Sequence, residues 1–352
     1  MESPRHRNDR GAVHAAYPNA MAQSTAHQKQ AGGCWYELIA RIRAGTLGTV
    51  HVACKRGAPA SEPVAVKRLH PHLVNDQRAR RMLSMEVEIG KRLAHENTAR
   101  VHELFDLGFE PLLVMEYVEG ASLAELLQIW PVLPPPVALC IVLDAAMGLV
   151  ALHRLVDELG QPLRAVHRGV SPRNLLVGRD GRTRIAGYGS ACTATLPDGP
   201  EPRPFSRRSC HRAPEHVVGY ACDARTDVFS LAAVAWELLT ARPLFEGPTD
   251  ASTMQRIVSM RAPKLSSLVP DLGDALDEVL ERALAKNPED RFPTMERFGS
   301  ELADAAAWTT GIARHSDVGA TVEDLVGDAL ACRRADIEDQ LPTSGVYARP
   351  QL

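Results

Sequence analysis

Lys67 closes an alternating, β-branched run, Val64-Ala65-Val66-Lys67, that reads as a strand delivering an ammonium group to one face. Upstream, Ile42 to Val50 carries Gly45 and Gly48, where missing side chains let backbone amides approach a phosphate. A plain hairpin turn accounts for the same letters. Downstream, His167-Arg168-Gly169-Val170-Ser171-Pro172-Arg173-Asn174 gathers an imidazole, guanidinium groups and a carboxamide, and is followed by Leu175-Leu176-Val177, Gly187-Tyr188-Gly189 and Ala213-Pro214-Glu215. Such groups suit the holding of a polyphosphate. Between His167 and Gly189, however, Asp180 is the sole carboxylate.

Rigid elements must position these groups. Met82, Met85, Ile89 and Leu93 recur at helical spacing and set Glu86 beside the apolar face. Any helix near a lysine can carry a glutamate, but the position of Glu86, nine residues before the His95-Glu96-Asn97 turn, favours a pairing with Lys67. Leu113 to Gly120 reads as a buried strand ending in a glycine turn. The most apolar stretch, Val137 to Val156, contains Asp144, His153 and Arg154 and has a helical face at Leu139, Val142, Leu143, Ala146, Leu149 and Val150, so a core helix is expected and not a membrane span.

In order and spacing, the motifs together resemble the protein kinase family, closest in wording to the bacterial serine/threonine kinases. The resemblance runs over about residues 35–308 and implies a bilobal α+β fold: a small antiparallel β-sheet lobe with one main helix, 35–117, and a larger, mainly helical lobe, 118–308. It implies an ATP site formed by Gly45, Gly48, Val50, Ala65 and Lys67, with Glu86 as the ion-pair partner of Lys67. The backbone of Glu116 and Val118 would meet adenine, with Met115 guarding the pocket behind it. His167, Glu215, Asp227 and Arg291 take structural roles: Glu215 with Arg291 as a buried ion pair, and Asp227, starting a helix over Val228 to Thr240, as anchor of the catalytic-loop backbone. Arg168 is the residue that in the family receives a phosphate on the following loop, where Ser190, Thr193, Thr195, Ser206 and Ser209 lie.

The departures fall at the chemistry. In the family the residue after His-Arg is an aspartate that accepts the proton of the substrate hydroxyl, and the triplet at 187–189 opens with a metal-binding aspartate. Here these positions hold Gly169 and Gly187. Asn174 remains at the spacing of the second metal ligand. General-base assistance typically contributes about 10² to 10⁴ in rate, and one preorganised electrostatic contact roughly 10² to 10³. At about 1.4 kcal/mol per decade, losing both costs on the order of 5 to 10 kcal/mol of barrier, a range widened by non-additivity. Asp180 offers no replacement, because it reads as a turn residue and a strand of about five residues would carry it about 17 Å from Gly187.

Three functions are compatible with this pattern: a pseudokinase acting as a regulatory or scaffolding module, a slow serine/threonine kinase, and a noncanonical phosphotransferase. Lys67, with Arg43 at the first loop-glycine position, leaves a cleft more positive than that of an ordinary kinase, so weak, metal-independent ATP binding is one expectation. Arg43 filling the mouth of an empty cleft is the other. Expected partners are proteins, as substrate or as an active kinase.

Bulk properties narrow the class. A net charge of −3 gives no electrostatic reason to expect nucleic acid. The seven cysteines are odd in number and scattered, so neither a disulfide framework nor a zinc site is expected. Residues 1–34 lack an apolar core and are expected to be a disordered leader of a cytoplasmic protein. Residues 309–352 are expected to form a helix from Thr321 to about Glu338, started by Thr321 and Asp324, and a flexible tail. With Val322, Leu325, Val326 and Ala329 on one face, that helix packs on the large lobe or docks a partner.

Overall fold

A computed structural model describes residues 35–56, 62–106, 110–193 and 210–340. The expected leader and tail, and the hydroxyl residues Thr195, Ser206 and Ser209, lie outside them.

Alternating apolar residues fold into β1 (Trp35–Ala44), β2 (Gly48–Arg56), β3 (Val64–Leu69), β4 (Val101–Asp106) and β5 (Pro111–Glu116). They pair antiparallel in the order β1-β2-β3-β5-β4. Helix α1 (Gln77–Arg92) packs against this sheet; Asp76 caps its start by accepting the Ala79 amide at 2.7 Å, and it buries Met82, Met85, Glu86 and Ile89.

Beyond a short link, β6 (Gly120–Ser122) leads into α2 (Leu123–Ile129), which Ser122 and Glu125 start with a reciprocal capping box. Helix α3 (Pro135–His153) follows, then β7 (Leu175–Gly178) and β8 (Thr183–Ile185), which complete a second antiparallel sheet in the order β6-β7-β8. Six further α-helices follow among the described residues: α4 (Pro214–Val218), α5 (Ala224–Thr240), α6 (Asp250–Ser259), α7 (Gly273–Ala283) and α8 (Met295–Ala307) build the large lobe, with α9 (His315–Gln340) after it. Helix α3 is long and apolar enough to cross a bilayer, yet 72% of its apolar window is buried. It is the core of the lobe, packed with α5 and α8 through Leu139, Leu149, Phe229, Leu231 and Phe298.

Two helix starts differ from expectation. Helix α5 begins at Ala224, capped by Asp223, and Asp227 sits in its first turn. Helix α9 begins at His315, so Thr321 is interior; its hydroxyl donates to the Asp317 carbonyl instead of capping. Helix α9 packs on the small lobe as well as the large one: Val318, Val322 and Leu330 join the large-lobe core, while Ile337 is buried with Val52 and Cys54.

Candidate active site

β3 carries Lys67 inward and α1 presents Glu86, and the two meet at 2.5 Å, the lysine side chain 17% and the glutamate 3% exposed. Val50 packs on a small cluster that includes Ala65 and Met115, an apolar surface on the same sheet. The Glu116 amide is spent on the Arg100 carbonyl at 2.8 Å. Val118 lies in the link between lobes.

The glycines of the β1–β2 connection serve the turn. The Gly45 amide donates to the Gly48 carbonyl at 2.7 Å. A Cβ on Gly48 would come 1.6 Å from the Arg68 carbonyl oxygen, so close strand approach requires that glycine.

On the opposite side, the backbone of the loop bearing Gly169 hangs from one carboxylate. Asp227, fully buried, accepts the His167 amide at 2.8 Å, the Arg168 amide at 2.9 Å and the His153 ring at 2.9 Å. Burial alone would raise the Asp227 pKa; the hydrogen bond from His153 and the neighbouring histidines and amides overcome this and hold it below the usual carboxylate range. Tyr188, 1% exposed, donates to the Ile185 carbonyl at 2.7 Å and meets the His167 ring edge-on at 5.5 Å. Burial pushes its phenol pKa up. Glu215 and Arg291 form a bidentate pair with both contacts at 2.8 Å, and Thr226 adds a third bond to the glutamate.

Beside the two glycines lies a carboxamide. Asn174 donates from Nδ2 to the Gly169 carbonyl at 2.8 Å. Gly187 adopts the left-handed conformation, φ 85° and ψ 46°, and a Cβ there would lie 2.8 Å from Asn174 Oδ1. A Cβ on Gly169 would be less crowded, 3.3 Å from His167 Nδ1. Asp180 is tied into the β7–β8 turn by Arg184 at 2.8 Å.

Magnesium prefers carboxylate and water oxygens in near-octahedral geometry, and Asn174 is a single carboxamide with one end already engaged. Among the described residues no three His, Cys, Asp or Glu side chains converge on a metal position. The residues present do not fit the ion.

Arg43 closes the opposite wall. Its Nη1 donates to the Arg173 carbonyl, so a β1 side chain reaches onto the loop that holds Gly169 and Asn174. Burial lowers its guanidinium pKa from the ordinary value, partly offset by Glu125. A cavity of about 580 Å³, lined by Glu62, Leu93, His95, Arg100, Glu116 and Arg184 among others, lies apart from Lys67, Gly169 and Gly187. Sequence reasoning missed His153 as a partner of Asp227 and the Arg173 carbonyl as a partner of Arg43. A basic residue in the last turn of an apolar helix was the only trace of the first, and the second left none.

A profile of the protein kinase domain matches residues 36–301. The chain belongs to the protein kinase family. Among curated kinases it is similar to the tyrosine-protein kinase MasK of Myxococcus xanthus (strain DK1622), 31% identical over 275 residues that cover 76% of this chain and 42% of that protein. It is also similar to the serine/threonine-protein kinase PknL of Mycobacterium tuberculosis, 28% identical over 269 residues, 76% of this chain and 64% of that one. The chain thus matches only part of the length of these kinases. The crystal structure of the Mycobacterium tuberculosis PknI kinase domain superposes with a TM-score of 0.60 at 28% identity, covering 81% of this chain and all of that one. The chain therefore has the kinase fold, with an antiparallel small lobe and a helical large lobe.

Proposed function

We propose that this protein is a pseudokinase: a kinase-fold module that regulates or scaffolds a protein partner, an active kinase for example, in the cytoplasm, and transfers phosphate very slowly or not at all. One observation carries the proposal. At the two positions where the kinase motifs call for aspartates, the chain has Gly169 and Gly187, with the Asn174 carboxamide lying beside both. Among the described residues no carboxylate stands at either position to orient an incoming hydroxyl or hold magnesium, and phosphoryl transfer depends on those terms. The structural pairs Lys67–Glu86 and Glu215–Arg291 persist, which supports a retained scaffold. Nucleotide binding, where it occurs, is weak and metal-independent, because ATP phosphates must displace Arg43 from Arg173 before meeting Arg43 and Lys67.

The Lys67–Glu86 contact favours a second reading, a slow serine/threonine kinase, since that pair is part of the family's assembled state. A radiolabel assay compares the natural chain with Gly169→Asp plus Gly187→Asp. Transfer from the γ position only in the double variant supports the pseudokinase. Robust transfer by the natural chain establishes the slow kinase, and label incorporated from the α position points to a noncanonical transfer.

A further inference from the structure

Helix α9 lies past the last residue matched by the kinase-domain profile, and it is seated on both lobes. The helix is fixed to the large lobe from its start as far as Leu330. Val318, Val322 and Leu330 are buried there, and the His315 ring meets Asp144 at 3.1 Å. The approach is backbone to backbone: a Cβ on Gly181 would lie 1.7 Å from the His315 carbonyl oxygen, and one on Gly319 2.6 Å from the Arg179 carbonyl oxygen.

Its last turns reach the small lobe. Ile337 is buried with Val52 and Cys54 of β2, with Ile39 and Ile42 of β1 and Tyr117 of the interlobe link packed around them. One turn earlier, Arg334 pairs with Glu119 in that link. Arg179 of the β7–β8 turn joins Glu323 of α9 at 2.7 Å and Glu119 at 4.0 Å, which makes a charged cluster of the large lobe, the interlobe link and the helix.

The contact has a direct route to the cleft. Ile42, against which the α9 end packs, is followed in β1 by Arg43, whose guanidinium bonds the Arg173 carbonyl. A helix serving only to cover the large lobe would need no contact beyond Leu330. We propose that α9 is an internal ligand of a helix-docking groove spanning both lobes, and that its seating holds β1 where Arg43 bridges to the catalytic loop. The groove accepts an amphipathic helix bearing an apolar residue for the Val52–Cys54 pit and, one turn before it, an arginine for Glu119. Unseating the helix releases the small lobe and frees Arg43.

Hydrogen exchange on the full chain tests this. Ile337→Asp is expected to raise amide exchange several-fold in β1–β2 and, across the cleft, in Gly169–Asn174, with α3 and α5 unchanged. Arg334→Glu is expected to do so in part, and Glu119→Arg added to it to restore protection. In an Arg43→Ala background, Ile337→Asp is expected to affect β1–β2 but add nothing at the catalytic loop, because the connection is already cut. Exchange rising only in α9 and its large-lobe contacts would overturn the proposal, as would an equal catalytic-loop response with and without Arg43. If Ile337→Asp does not fold, the charge-swap set decides, and failure of the swap to restore protection overturns the idea. These outcomes do not depend on whether phosphate is transferred, so the radiolabel assay fails or succeeds separately.

Discussion

Gly169 and Gly187 look equivalent in the sequence and differ in the structure. Gly187 is left-handed and a Cβ there would lie 2.8 Å from Asn174 Oδ1, whereas a Cβ on Gly169 would come no nearer than 3.3 Å to any neighbour. Alanine at 187 is therefore expected to cost about 1–3 kcal/mol by urea unfolding, from the left-handed backbone and the displaced carboxamide. Alanine at 169 should cost less than about 1 kcal/mol, within the range of mild substitutions. Equal losses would contradict the role given to Asn174. Glu215→Gln leaves Arg291 buried and unmatched, so a loss of about 3–5 kcal/mol is expected. The missing carboxylates were legible because residue type alone reveals them. The Arg43 contact was not: its acceptor is a backbone carbonyl 130 residues away, which no side-chain pattern encodes.

Periodicity made α1 and α3 legible, because burial of one face, or of nearly all faces, leaves an imprint on residue spacing. Helix starts were less secure. Thr321 and Asp324 have the letters of a cap, but α9 starts at His315, where the Arg314 amide donates to Asp317 and no Ser, Thr, Asn or Asp precedes the helix to announce it. The two-lobe seating of α9 was equally hidden, since only tertiary contacts distinguish Ile337 from the residues around it. Helix α1 offers a clean test of capping. Asp76→Ala is expected to lower stability by about 0.5–2 kcal/mol in thermal or urea unfolding, with the Ala79 amide losing its acceptor. An unchanged midpoint would mean that packing alone sets the helix start.

Across the molecule, buried and half-buried histidines set opposing pH limits. Burial lowers the pKa of His167 from 6.5, and burial followed by nearby arginines lowers His51 to about 4 and His216 to about 3. The unfolded chain then binds more protons as pH falls below 6.5, so stability drops through that window. His211 behaves oppositely. Burial alone would lower it, but the Cys210 sulfur and the Glu237 carboxylate raise it to about 10, so its contribution is full below 6.5 and is lost as pH rises toward 10. Thermal melts are expected to show maximal stability near neutrality, with His211→Gln flattening the alkaline limb; an unaltered limb would assign the loss to other groups. The molecule as a whole retains a kinase's internal framework, and the proposed function requires that its cleft offer no seat for a divalent ion; among the described residues no three acidic, His or Cys side chains converge on one. Calorimetric titration of ATP into the full chain, with magnesium and then with a chelator, tests that most directly. Any binding is expected to be weak and the same in both conditions, whereas tight binding that requires magnesium would contradict it.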